Sequence, residues 1–255
     1  MVGEEIEMDE QKVKTAISCL RQFEPPEGYY LAFSGGKDSC VLKQLAIEAG
    51  VKFDAHFHVC TIEPHELTRF LRKHHPEVVW NRPRRPFLRA LITAGLPFRQ
   101  TRWCCREYKE HGGDGRVVLL GIRRAESAKR AKRRMVESCT VTGKTRVSPI
   151  IDWTSNDVWS FTRDRRLPYC SLYDDGWKRI GCMFCPERYW KRRVNEALRY
   201  PRWRRAFISA IEKLRIHRLE RGTLSEIFHT APDGEAVFWW WISCGRMMSG
   251  PTFPL

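Results

Sequence analysis

The sequence has no run approaching the roughly 18 consecutive apolar residues of a membrane span. Its acidic start, Met1 to Glu10, lacks the basic and apolar stretches of a secretory leader. These absences predict a cytoplasmic protein with no membrane partner. No internal repeat and no low-complexity tract interrupts the 255 residues, so one main globular domain is expected. Negative charge is also scarce: 30 acidic residues stand against 45 basic ones, a formal charge of +15. That imbalance favours a polyanionic partner, because each Lys or Arg that neutralises a phosphate releases a counterion.

Three basic groups stand out: Arg82, Arg84, Arg85 and Arg89; Lys129 to Arg134; and Lys191 to Arg205. Tyr189, Trp190, Tyr200 and Trp203 lie in or beside the last. Aromatic faces interleaved with arginines suit base stacking beside backbone neutralisation. A solvated basic surface beside a triphosphate site explains the charge equally well. Ten cysteines in a reducing compartment do not read as a disulfide framework, so metal binding or redox chemistry is expected of the clustered ones. Cys19, Cys40, Cys60 and Cys170 read as small buried side chains.

Apolar spacing at Val13, Ile17 and Leu20 predicts a helix over Asp9 to Phe23, ended by Pro25, Pro26 and Gly28. Tyr29 to Phe33 reads as a strand, Ser34 to Asp38 as a tight loop, and Ser39 to Ala49 as a helix. Strands at Phe53 to Val59, Val78 to Trp80 and Arg116 to Ile122, with a helix over Glu63 to His74, continue the alternation. Further helices are expected over Thr154 to Arg163 and Pro201 to Glu220, while the last thirty residues, with Trp239 to Trp241, take no assigned shape. The fold class is therefore α/β, a parallel twisted sheet with helices on both faces, plus a smaller, mostly helical C-terminal region. Residues 1–150 are expected to form the nucleotide-binding part, and 151–255 to complete the same compact unit.

Ser34-Gly35-Gly36-Lys37-Asp38-Ser39 joins a strand to a helix start, where unpaired amides and the helix dipole favour an anion. It lacks the Walker spacing. Four thiols arrive as two close pairs, Cys104 with Cys105 and Cys182 with Cys185, and fit one zinc ion or one cubane cluster. His74 and His75, ahead of Pro76, read as solvated, and Glu63 and Glu66 as surface helix residues.

The loop resembles the pyrophosphate loop of the N-type ATP pyrophosphatases (adenine nucleotide alpha hydrolase-like, Rossmann-like). Gly121-Ile122-Arg123-Arg124-Ala125-Glu126-Ser127 resembles a segment of the phosphoadenylylsulfate (PAPS) reductase branch. Cys-Cys-Arg at Cys104, Trp153 to Trp159, and Gly181-Cys182-Met183-Phe184-Cys185 resemble adenylylsulfate reductase and the cluster-bearing proteins of DNA phosphorothioation. The resemblance implies ATP and Mg²⁺ at Ser34 to Ser39, phosphate contact by Arg123, and a [4Fe-4S] cluster on the four cysteines, with zinc as the alternative.

It further implies catalytic roles for Lys37 and Asp38, and a sulfur-carrying role for Cys244 in Ser243-Cys244-Gly245, although the reductases' neighbouring Glu and His are missing. Cys139 is a weaker carrier. The expected function is an adenylating sulfurtransferase acting on DNA or tRNA, supplied with sulfur by a donor such as a cysteine desulfurase. A sulfonucleotide reductase forming sulfite, or a non-catalytic cluster-bearing module, are the alternatives.

Overall fold

The computed structural model describes residues 9–138, 143–223, 226–247 and 249–250. Cys139 lies outside them. The chain divides into two compact units, 1–58 with 64–81 and 111–181, and 59–63 with 82–110 and 182–255. The division follows contacts instead of a cut at residue 150: the segment 151–181 packs with the sheet, and 82–110 joins the C-terminal helices.

The first unit holds a six-stranded sheet of order β3-β2-β1-β4-β6-β5. Its strands are β1 (Tyr29–Ala32), β2 (Phe53–His58), β3 (Val79–Asn81), β4 (Val118–Leu119), β5 (Val136–Ser138) and β6 (Thr145–Val147). All pairs are parallel except the edge pair of β5 with β6. β1 lies between β2 and β4, with Tyr30 opposite Asp54 on one side and Val118 on the other. That central position explains why Tyr29, Tyr30 and Leu31 are all buried. β2 instead alternates, burying Ala55 and Phe57.

The helices of this unit are α1 (Glu10–Gln22), α2 (Lys37–Ala49) and α3 (His65–His74), with α6 (Ala128–Ala131) and α7 (Ser155–Asp164) further on. Asp9 caps α1 by accepting from the Gln11 amide at 3.0 Å, and Val13, Ala16 and Leu20 form its buried stripe. Helix α2 begins two residues before the expected Ser39 because Gly36 takes the cap, and it stops at Gly50 in the left-handed region. At α7, Thr154 and Asp157 cap reciprocally, the Asp157 amide donating to the threonine hydroxyl at 3.2 Å and the Thr154 amide to the carboxylate at 2.6 Å. The hairpin of β5 and β6 has no counterpart in the sequence-based expectations, and β4 is shorter than expected.

The second unit is helical: α4 (Phe87–Ala94), α5 (Trp103–Tyr108), α8 (Trp190–Arg199), α9 (Pro201–Glu220), α10 (Glu226–Thr230) and α11 (Gly234–Ser243). The tryptophan run left without a shape forms α11, with Trp239 and Trp241 buried. Phe184 sits edge-on to Phe207 at 4.9 Å and to Phe238 at 5.3 Å, so aromatic packing forms this unit's core. Tyr200 and Arg193, counted among the aromatic and basic residues suited to nucleic acid, are buried here instead. Tyr189 of the same segment is exposed. No helix of the described residues is long and apolar enough to cross a membrane.

Candidate active site

In the first unit, the loop of Ser34 to Ser39 follows β1 and opens α2 at the carboxyl edge of the parallel strands, where ligands collect in such sheets. Gly35 has φ +70°, and a Cβ there would stand 2.8 Å from side-chain carbons of Leu67 and Leu71. Only glycine suits that position. Gly121, past β4, approaches the loop from the neighbouring strand, and a Cβ on it would meet the Asp38 carbonyl oxygen at 3.0 Å.

The loop is held by its own serines. The Ser34 amide donates to Ser39 Oγ at 3.3 Å, and that hydroxyl donates to the Gly36 carbonyl at 2.8 Å. The Gly36 amide donates to Ser34 Oγ at 3.3 Å, and the Lys37 amide to the Tyr173 hydroxyl at 2.9 Å. A phosphate seated on the Lys37 amide would displace that hydroxyl.

Lys37 and Asp38, expected to act on the nucleotide, are paired with each other, Nζ donating to Oδ2 at 2.8 Å. Burial pushes the Lys37 ammonium below its ordinary pKa, opposed by the carboxylate of Asp38. Arg123 takes the other carboxylate oxygen, Nε to Oδ1 at 2.6 Å, and also donates to the Trp153 carbonyl at 3.3 Å. Arg123, the residue expected to contact phosphate, therefore holds Asp38 at the start of α2. Each Asp38 oxygen thus accepts from a cation, Lys37 on one and Arg123 on the other.

A cavity of about 180 Å³ opens on the loop, lined among others by Ser34, Gly36, Asp38, Gly121, Arg130 and Arg179. Tyr173 closes another side. The two arginines and the tyrosine had not been picked from sequence. Arg130 lay within a recognised basic run, but nothing in spacing separates it from its neighbours. Burial lowers its pKa, with Arg179 adding to the effect, so the cavity presents crowded positive charge to an anion. Arg130 also pairs with Glu126.

In the second unit, Cys104 and Cys105 on α5 and Cys182 and Cys185 on the turn before α8 line one cavity of about 50 Å³. Phe184, with φ +52°, bends that turn, and its amide donates to the buried Glu196 at 2.9 Å. Cys60 lines the same cavity. It is buried as expected, yet its thiol hydrogen-bonds Cys182, which drives the Cys182 pKa well down, helped by the Lys109 ammonium. Cys105 is likewise pulled down to about 7 by the hydrogen bond from Cys104 and by Arg102 and Lys109. Four paired thiols with neighbouring cations suit an anionic iron-sulfur cluster. Among the described residues, no group of three or more His, Cys, Asp or Glu is arranged as a site for a metal ion.

Glu63, expected on a helix surface, is buried ahead of α3 and accepts from the Cys60 amide at 2.5 Å. Burial, and then Cys182, raise its pKa. His75, expected in solvent, is buried between Phe33 and Phe70. Cys244 ends α11 in the left-handed conformation, φ 57°, and is exposed. The buried Arg193 donates to its sulfur at 2.7 Å and to the Trp241 carbonyl at 3.2 Å.

Residues 28–188 match the phosphoadenosine phosphosulfate reductase domain. Two uncharacterized proteins of Methanocaldococcus jannaschii are 31% and 32% identical, each over 61% of this chain, but the chain spans only 35% and 40% of their lengths. The adenosine 5'-phosphosulfate reductase of Allochromatium vinosum is 31% identical over 56% of either chain. The PAPS reductase from Candida auris, solved as a phosphate complex, shares the fold at TM-score 0.54 and 15% identity, covering 71% of this chain and 98% of that one. The matched segment begins just before β1 and includes the loop and both cysteine pairs, and the chain belongs to the phosphoadenosine phosphosulfate reductase domain family.

Proposed function

We propose that the protein is an ATP-dependent adenylating sulfurtransferase with a nucleic-acid acceptor. The observation that carries this reading is the complete loop from Ser34 to Ser39, which opens on a cavity walled by Arg130 and Arg179. An acceptor oxygen attacks the α-phosphorus of ATP, the bond to the β-phosphate oxygen breaks, and pyrophosphate leaves. Lys37, Arg130 and Arg179 offset the charge that gathers on the leaving diphosphate. The terminal sulfur of a cysteine persulfide, supplied by a donor such as a cysteine desulfurase, then attacks the activated centre as AMP departs with the oxygen, and a thiol reductant cleaves the resulting disulfide to leave the sulfur on the acceptor. Cys104, Cys105, Cys182 and Cys185 would hold a [4Fe-4S] cluster, which supplies one-electron redox capacity when bound. The charge of +15 supports a DNA or tRNA acceptor.

A second reading, sulfonucleotide reduction, is favoured by the match to adenosine 5'-phosphosulfate reductases and by the 2.7 Å contact of Arg193 with Cys244. There the Cys244 thiolate attacks the sulfur of an adenylylsulfate, AMP leaves, and a thiol reductant such as thioredoxin releases sulfite from the resulting cysteine thiosulfonate. The test is pyrophosphate release from ATP and Mg²⁺ with tRNA or DNA, run beside sulfite release from adenylylsulfate. Pyrophosphate release that Lys37→Ala abolishes supports the first reading. Sulfite release that Cys244→Ser abolishes supports the second, and silence in both points to a non-catalytic module.

A further inference from the structure

The second unit contains a cavity of about 720 Å³ that has no part in the chemistry above. Its size falls within the range of ordinary small-ligand sites. Trp240 is half-buried between the buried Trp239 and Trp241. A helix advances about 100° per residue, so two tryptophans enter the core while the third faces this cavity. Phe98 stands edge-on to Trp240 at 6.3 Å. Phe228 and Leu96 complete the apolar wall, and Thr101 adds a hydroxyl.

Arg218 of α9 is the cation among the described lining residues, none of which is a carboxylate. Its guanidinium has no ion pair or hydrogen bond among the described residues. Gly95 gives it room: φ there is +86°, and a Cβ would lie 3.3 Å from Arg218 Nη2. Arg221, three residues on from Arg218, is exposed.

We infer that this cavity binds a nucleotide, its base against Trp240 and Phe98 and its phosphate on Arg218. Aromatic walls favour a planar ring, since stacking on such side chains is a strong and sequence-tolerant source of affinity for bases. A guanidinium with neither a partner nor an acid beside it among the described residues selects an anionic group, which it can grip with two parallel hydrogen bonds. The ligand is either a free nucleotide or one unit of a single strand. The inference does not depend on the loop's ATP chemistry.

The experiment uses full-length Lys37→Ala protein, which weakens nucleotide binding at the loop, titrated with thymidine monophosphate and with a four-residue oligothymidylate. Tryptophan fluorescence and calorimetry give the affinities. Both probes are expected to bind, and Arg218→Ala to weaken them about tenfold or more, with Arg218→Lys recovering part. Thr101→Trp, which fills the cavity, is expected to block binding while the circular dichroism spectrum is kept. Tighter binding of the oligomer assigns the site to a strand, and equal binding assigns it to free nucleotide. Absence of binding by both probes, binding indifferent to Arg218→Ala, or capture of decanoate in place of the nucleotide would overturn the assignment. Failure of the ATP reading shows separately, as lack of pyrophosphate release by the unmodified protein.

Discussion

Arg123 Nε donates to Asp38 Oδ1 at 2.6 Å, tying the segment after β4 to the first turn of α2. The side chains are 5% and 18% exposed, so the pair is shielded from solvent. Removing Arg123 leaves Asp38 with Lys37 as its remaining cationic partner and takes away one charged hydrogen bond, a cost of roughly 1.5–3 kcal/mol. Arg123→Ala is expected to lower the unfolding free energy from urea titration by about that much, with Arg123→Lys recovering only part because one ammonium cannot also reach the Trp153 carbonyl. A change under about 1 kcal/mol would show the pair to be ornamental.

The close approach of Gly121 makes a second prediction. An alanine methyl would stand 3.0 Å from the Asp38 carbonyl oxygen and 3.2 Å from the Ser39 amide nitrogen. Backbone cannot swing aside as a side-chain tip can, so the loop must shift. Gly121→Ala is expected to destabilise by about 1–3 kcal/mol and to weaken ATP binding by calorimetry.

Acid should unfold the first unit partly through His75. Burial, and then Lys43, push its pKa from 6.5 down to about 4, with Glu77 opposing. The folded state thus keeps the ring neutral while the unfolded state protonates it at higher pH. The contribution is complete above about 6.5 and is lost as pH falls through about 4, at most roughly 3 kcal/mol. His75→Gln should flatten the fall in melting temperature between pH 7 and pH 4 relative to the unmodified protein.

The cysteine cavity predicts unequal behaviour of its five thiols. Anaerobically purified protein is expected to contain iron and sulfide and to absorb in the visible. Cys104→Ser or Cys182→Ser should abolish both signals, while Cys60→Ser retains them, because Cys60 supports Cys182 through a hydrogen bond. Zinc in place of iron would leave the cavity as a site for that ion, and equal loss in Cys60→Ser would make it a ligand.

Much of the first unit was legible because its signals are local. Two glycines after a buried run, a helix-capping Asp9, and Thr154 at the start of α7 each act within a turn of chain. The hairpin of β5 and β6 was missed because three-residue strands carry too little alternation to register. The burial of His75 and Glu63 was missed because each depends on what packs over it. His75 is covered by Phe33 and Phe70, and Glu63 is drawn inward by the Cys60 amide. Helix α11 was unreadable for another reason: apolar residues on all sides leave no periodic contrast.

By itself the sequence determined the strand, the glycine-rich turn and the helix that follows, together with the two cysteine pairs, since backbone geometry and thiol spacing are properties of neighbouring residues. Only the tertiary structure decided that Arg130, Arg179 and Tyr173 face that turn, that Arg123 serves Asp38, and that Cys60 joins the other thiols. Those relationships join residues far apart along the chain, and their energies depend on burial and shared cavities that exist only once the elements have packed.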